Sequence, residues 1–446
     1  MRRLGTDTKV LHLKLADQLA TLAPSSFPIF QTATFAQESH NQLDRYHYTR
    51  SKNPTRSALE VSLAALESND DSKQVYSYAL NSGMAAISAC FQLLSPGQPI
   101  VAGNDLYGGT SRLLDLNSRT NSVDFVDLQD LDQVRVQLRK AAQPGLLWIE
   151  SPSNPLMKLC DLKALRKISS EYGWIMGIDN TMLSSYLQKP LDLGIDLAVQ
   201  SATKFLGGHG DVTAGVVSTC DPALAKKIRF IINCYGTALA PFESWLLLRG
   251  LKTLPVRMER QQKSTIEILD FLSNSLNVTR VHYAGTKHSP RGSMISFETG
   301  DVEISSTLLN SFNLFKKQVS FGSIVSSVEI PAFFSHASIP KNVKHTFQLP
   351  EDLIRMSIGL EDPRDLIEDL RQGLDQVTSP RSSSATVSPM RRSFSTQRCL
   401  ETETVHAGER TNRETVADTL TTPIAQNSAY YFKDSAVSLF LIVFSS

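Results

Sequence analysis

Lys204 follows the strand-like run "IDLAVQ" (195–200) and comes just after two hydroxyl residues, Ser201 and Thr203. An ammonium is expensive to take out of water. A lysine at the end of a buried strand therefore signals a reactive amine, because burial lowers its pKa towards the neutral nucleophile. Asp179 closes "WIMGID" (174–179), and Asn154 lies in the turn after "LLWIE" (146–150). Gly83 and Met84 open a helix, whose first N–H groups suit an anion. An imine-forming lysine, a carboxylate, hydroxyls and a helix N-terminus together describe a site for pyridoxal phosphate. Taken singly, each has a plainer reading. A lone lysine after a strand is usually solvated, a strand-end aspartate usually caps a turn, and "GGHGD" reads as a loop in which His209 is one more polar residue. What sets the plainer readings aside is that the features recur at one edge of one sheet, in a workable order.

The elements that must position these residues are legible as alternation. "PIVAG", "LLWIE", "WIMGID", "DLAVQS" and "TAGVVS" read as buried strands, with helical segments such as "LKALRKISSEY" between some of them. That pattern implies a mostly parallel sheet covered by helices on both faces. Ligands then bind beyond the carboxyl ends of the strands. "NPTRSALEVSLAALES" carries Asn53 as N-cap and Pro54 at the first helical position. After residue 250, a long helix over "RMERQQKSTIEILDFLSNS" leads into a smaller region ending near "EDPRDLIEDLRQGLDQV". Residues 378–403, rich in Ser, Pro and Arg, read as a disordered linker. Beyond it, "TVHAGERTNRETVADTLTTPIAQNSAYYF" (404–432) parallels the chain's own start, where "KVLH" (9–12) precedes "SSFPIFQTATF" (25–35). This is the opening of a second copy that breaks off, over 404–446. A truncated unit cannot bury a core of its own, so the tail is expected to be poorly ordered.

Composition narrows the function classes. The chain has 446 residues and a formal net charge of +1, which gives no electrostatic case for nucleic acid or an anionic membrane. Its five cysteines lack CxxC or metal-type spacing, which points to reduced thiols and no metal site. No phosphate-loop, HExxH or GxSxG motif is present. The N-terminus lacks the apolar core of a secretory signal, and Asp7 and Asp17 argue against an organellar peptide. The apolar run "SLFLIVF" (438–444) is too short to span a bilayer. The expected compartment is cytoplasmic, with a plastid as the alternative.

From about residue 8 to 377 the chain resembles the Cys/Met-metabolism enzymes that use pyridoxal phosphate, a group of cystathionine and methionine lyases and synthases. The stretches that carry the resemblance are "YHYTRSKNPTR", "LNSGMAAI", "DLYGGTSRL", "ESPSNP", "GIDNT", "SATKFLGGHGD", "APFESWLLLRGLKTLPVRM" and "LIRMSIGLED". The phrase "SFGSIVSSVEIPAFFSHASIP" (320–340) looks most like the plant-type β-lyases. The resemblance implies an α/β chain of the fold type I transferase class: a large, mostly parallel seven-stranded sheet domain (55–250) and a smaller C-terminal α/β domain (251–377). An N-terminal arm (1–54) would serve a neighbouring subunit. It further implies that Lys204 holds the cofactor, Asp179 pairs with its pyridine nitrogen and Tyr107 stacks on its ring. Gly83, Met84, Ser201 and Thr203 would hold the phosphate, and Asn154 would lie near the phenolic oxygen. Tyr48 and Arg50 would reach the phosphate of a neighbour, in a homotetramer built from catalytic dimers. Arg355 would clamp the carboxylate of a small amino-acid substrate, with Ser326 beside it.

The reaction implied is β-elimination of cystathionine to homocysteine, pyruvate and ammonia. γ-Acting members of the family commonly carry Glu before the serine matching Ser326, whereas this chain has Val325. A γ-acting enzyme and a non-catalytic paralogue are the alternatives. Between "VHYAG" (281–285) and "GSMISF" (292–297) the chain is shorter than the family usually is.

Overall fold

The computed structural model describes residues 5–11, 26–39, 45–335, 349–378 and 398–406. Of the expected linker (378–403), residues 379–397 lie outside the described residues, as do residues 407–446 of the truncated copy (404–446).

Seven strands build the larger sheet: β1 (Tyr76–Leu80), β2 (Ile100–Gly103), β3 (Val123–Val126), β4 (Leu146–Glu150), β5 (Ile175–Asp179), β6 (Leu197–Ser201) and β7 (Gly215–Thr219), in the order β1-β7-β6-β5-β4-β2-β3. The pairs from β3 through β2, β4 and β5 to β6 are parallel, and β7 runs antiparallel to both of its neighbours. The expected mostly parallel sheet is therefore present. The sequence reading passed over β1 and β3. Strand β4 shows why parallel strands read as continuous apolar runs. Leu146 and Trp148 enter the core on one face, and Leu147 and Ile149 enter the core on the other.

Helices α1 (Thr6–Leu11), α2 (Pro54–Glu67), α3 (Gly83–Phe91), α4 (Gly108–Asn117), α5 (Leu131–Lys140), α6 (Leu162–Glu171), α7 (Ser184–Leu187), α8 (Pro222–Tyr235) and α9 (Pro241–Leu251) precede the long α10 (Leu254–Ser273). Helix α2 starts as its sequence dictates: the Asn53 side chain accepts from the Thr55 N–H at 2.9 Å, and Pro54 sits in the first turn. Trp148 packs edge-on against Phe91 of α3, with ring centroids 5.1 Å apart, and so fixes that helix on the sheet.

A second sheet has the order β10-β11-β12-β9-β8, from β8 (Arg280–His282), β9 (Met294–Glu298), β10 (Lys316–Lys317), β11 (Ser327–Glu329) and β12 (Ile354–Ser357). Helices α11 (Val302–Ser311) and α12 (Pro363–Thr378) share its apolar core. The shortened stretch between β8 and β9 still closes. The two strands pair antiparallel, Thr286 bridges Ser289, and the Tyr283 hydroxyl accepts from Arg291 N at 2.9 Å while donating to Gly292 O at 3.1 Å. One sequence boundary needs correcting. Leu400–Val405, assigned to the linker's end and the tail's start, form helix α13 with Thr402 fully buried.

Candidate active site

The loop after β6 carries Lys204 to the carboxyl edge of the larger sheet. Three groups hold that loop. Thr203 donates its hydroxyl to Ala214 O at 3.2 Å and accepts from Ala214 N at 3.0 Å. Buried Arg257 of α10 donates to Phe205 O at 2.8 Å and Gly250 O at 3.0 Å, bracing the turn from outside. Gly322 passes over it with φ +79°, and a Cβ there would stand 2.8 Å from Phe205 N and 3.0 Å from the Lys204 carbonyl carbon. Only glycine fits so close an approach in that conformation.

The Lys204 amine donates to the Ser320 hydroxyl and lies 5.1 Å from the centroid of the Phe321 ring. Burial, helped by the positive charge of Arg355, pushes its pKa down to about 8, against the pull of Glu329 and Asp179. Asp179 ends β5, and its carboxylate accepts from both the N–H and the hydroxyl of Thr181. That same hydroxyl accepts from Ser201 N at 2.7 Å, which ties Asp179 to β6. Burial raises the Asp179 pKa, while the Thr181 bonds and the charge of Lys204 oppose the rise.

Beside Asp179 in register stands Glu150, at the end of β4. It is buried, and its two oxygens accept from Tyr107 N at 3.0 and 2.9 Å, fixing the residue that caps α4. Burial and the neighbouring Asp179 hold its carboxyl well above the usual range. At the start of α3, Ser82 caps through Ala85 N at 3.1 Å. The N–H groups of Gly83 and Met84 take no partner among the described residues. Gly83 lies so close to β6 that a Cβ would stand 2.8 Å from that of Ser201. This places the free N–H groups and the Ser201 hydroxyl together.

Arg355 reaches the site from β12. Its Nη1 donates to Asn154 Oδ1 at 2.9 Å, and its Nη2 donates to Ser320 O at 3.3 Å and pairs with Glu329 Oε1 at 2.7 Å. Arg355 and Glu329 face each other in strand register and are both buried. The guanidinium lies by the same ring as the Lys204 amine, 5.1 Å from the Phe321 centroid. Burial lowers the Arg355 pKa, while Glu329 and, less strongly, Tyr107 oppose the fall.

Lys204, Asp179, Tyr107, Asn154, Gly83, Met84, Ser201 and Thr203 thus lie along the larger sheet's strand ends and the turns beyond them, and Arg355 reaches the site from β12. Tyr48 and Arg50 line a different cleft, with Thr32, Arg56 and Pro241, in which Lys204, Asp179 and Gly83 take no part. Ser326 has another task than the one expected of it. Fully buried, it donates its hydroxyl to Glu361 Oε2 at 2.8 Å and accepts from Gly359 N at 2.8 Å. Ser320 is the serine that touches both Lys204 and Arg355. Sequence reasoning missed it, along with Glu150, Arg257, Phe321 and Glu329. One signal marks it in the structure: a φ of 91°, rare for a residue with a side chain.

A doubly covered, mostly parallel sheet with a desolvated lysine and a buried aspartate at adjacent strand ends defines a fold type I pyridoxal-phosphate enzyme. The groups present fit that cofactor: helix N–H groups without a partner among the described residues for an anion, a carboxylate to accept from a ring nitrogen and an amine for a carbonyl carbon. Residues 7–375 match the family of Cys/Met metabolism PLP-dependent enzymes, and the chain belongs to it. It is 42% identical to the chloroplastic cystathionine beta-lyase of Arabidopsis thaliana, over 77% of this chain and 76% of that one. With the cystathionine beta-lyase of Schizosaccharomyces pombe it shares 41% identity, over 84% and 97% of the two chains. The solved structure of a cystathionine gamma-lyase from Lactobacillus plantarum complexed with L-serine superposes with a TM-score of 0.78 at 36% identity, covering 84% of this chain and 99% of that one. Among the described residues no helix is long and apolar enough to cross a membrane, and no cluster of metal-ligating side chains is found.

Proposed function

We propose that this chain cleaves cystathionine at its β carbon, giving homocysteine, pyruvate and ammonia. The observation that carries the reading is the convergence of a low-pKa lysine and Asp179 with the fork of Arg355, which reaches them from β12. The names of the relatives from Arabidopsis and Schizosaccharomyces support it.

Gly83, Met84, Ser201 and Thr203 would hold the cofactor phosphate, Asp179 the pyridine nitrogen, and Tyr107 the ring face. Pyridoxal phosphate, when bound, supplies an electron sink for charge developing at Cα. Arg355 receives the substrate α-carboxylate. Its plane is fixed beforehand by Asn154 and Glu329, so little orientation is lost on binding. Lys204, uncharged over part of the physiological range, takes the proton from Cα and returns it to the departing sulfur. The Cβ–S electron pair leaves with homocysteine, and the three-carbon enamine hydrolyses. Ser320 and Phe321 limit the amine's swing and keep water from it. Ser326 steadies the segment that carries them.

Val325 supports β over γ chemistry, since it offers no carboxylate for the further proton transfer at Cβ. Tyr48 and Arg50, which line a cleft that Lys204 does not, support a homotetramer of catalytic dimers in which they serve a neighbour. The compartment we propose is the cytoplasm, with the plastid as the alternative that the Arabidopsis relative's name supports. Incubation with cystathionine tests the reaction. Pyruvate with homocysteine is expected, and 2-oxobutyrate with cysteine rejects it.

A further inference from the structure

A guanidinium offers a carboxylate two faces for a two-bond grip, Nη1 with Nη2 and Nε with Nη2, so either face needs an N–H of Nη2. In Arg355 that nitrogen already has two partners, Glu329 Oε1 at 2.7 Å and Ser320 O at 3.3 Å, while Nη1 holds Asn154 Oδ1 at 2.9 Å. The stronger partner is Glu329, which faces Arg355 in register across β11 and β12, with both residues buried. An incoming carboxylate must therefore displace Glu329, or displace Ser320 O and then lie beside an anion shielded from water. In a site of low effective dielectric, two like charges that close oppose each other more strongly than in solution. Glu329 is also able to yield. Ser335 donates to its Oε1 at 2.7 Å, and its Oε2 has no hydrogen-bond partner among the described residues. The carboxylate can thus leave Arg355 and keep Ser335.

We propose that Glu329 gates the carboxylate clamp: it occupies Arg355 while the site is empty, opposes the carboxylate that takes its place, and so sets how tightly an amino acid is held. Glu329 is a positioning and specificity-determining residue. The inference rests on the reading of Arg355 as the clamp, and it holds whichever carbon–sulfur bond is cleaved. Two effects of the side chain separate. As an acceptor it keeps the fork in plane, and as an anion it competes with the ligand. Plain carboxylates, which bring no amine for the cofactor, are the ligands this arrangement keeps out.

The test uses the cofactor-loaded full chain and two probes. L-Alanine carries the α-amino and α-carboxylate groups with no leaving group at Cβ, and n-propylamine lacks the carboxylate. Binding is read from the change in cofactor absorbance, not from turnover. E329Q keeps an acceptor and drops the charge. It should bind L-alanine about tenfold or more tightly than wild type, with n-propylamine unchanged. E329D, which keeps the charge, should not gain that tightening. Equal or weaker L-alanine binding by E329Q overturns the gate. So does a tightening of both probes alike, or one as large in E329D, because either traces to shape and not to charge. Should E329Q fail to retain the cofactor, E329S removes the same charge and carries the same expectation. R355M separates this inference from the reading beneath it. Loss of L-alanine binding in R355M, with no tightening in E329Q, overturns the gate alone. L-Alanine binding unchanged in R355M overturns clamp and gate together.

Discussion

Replacing Lys204 with methionine should stabilise the cofactor-free protein near neutral pH, and the gain should fade as pH rises. The lysine pKa falls from an ordinary 10.5 to about 8 on folding. Below pH 8 both states carry the proton, and the folded state bears the full cost of a desolvated ammonium, about 3 kcal/mol. Between the two pKa values the unfolded chain binds more protons than the folded one, so wild-type stability climbs with pH. Above the unfolded value the cost is gone. Methionine keeps the stem and deletes the charge. It also loses the bond to Ser320, worth about 1 kcal/mol. The variant should therefore be about 2 kcal/mol more stable than wild type near neutral pH, and no more stable by about pH 10. Urea unfolding of both cofactor-free proteins at the two pH values measures this, and groups common to both cancel. A stability difference that does not change with pH would refute the desolvated amine, and with it the case for a proton-transferring lysine.

Gly322→Ala should cost more than about 1 kcal/mol and slow borohydride trapping of the cofactor, since its Cβ would meet Phe205 N at 2.8 Å in a φ that alanine avoids. Arg257→Met should cost about 2–4 kcal/mol in urea unfolding, because the carbonyls of Phe205 and Gly250 lose buried donors. Glu150→Ala should lower stability by about 1–3 kcal/mol and weaken cofactor retention on dialysis, because Tyr107 N loses its acceptor.

Much of this was legible from residue order alone, for a physical reason. Central parallel strands are apolar on both faces, so "LLWIE" and "DLAVQS" stand out; β3, at the sheet edge with Asp124 exposed, does not. β1 escaped notice because "YSYAL" is only partly buried. Lys204, Asp179 and the Gly83–Met84 turn could be found because each sits at an element's end and keeps a local signature. Glu150 sits there too, but its role depends on Tyr107, brought near only by folding. Ser320, Phe321 and Glu329 act across the join between the two sheets, and nothing in their neighbours' spacing points to Lys204.

Strand β1 has one partner in the sheet, β7, and Tyr76 pairs with Thr219. During synthesis, then, the strand that leads into α3 emerges long before β7, its partner in the sheet. Until the far hairpin arm leaves the ribosome, "YSYAL" is a bare edge, open to neighbouring nascent chains. Strand β7, which covers that edge, is thus the one whose late arrival sets the exposure that chaperones must cover.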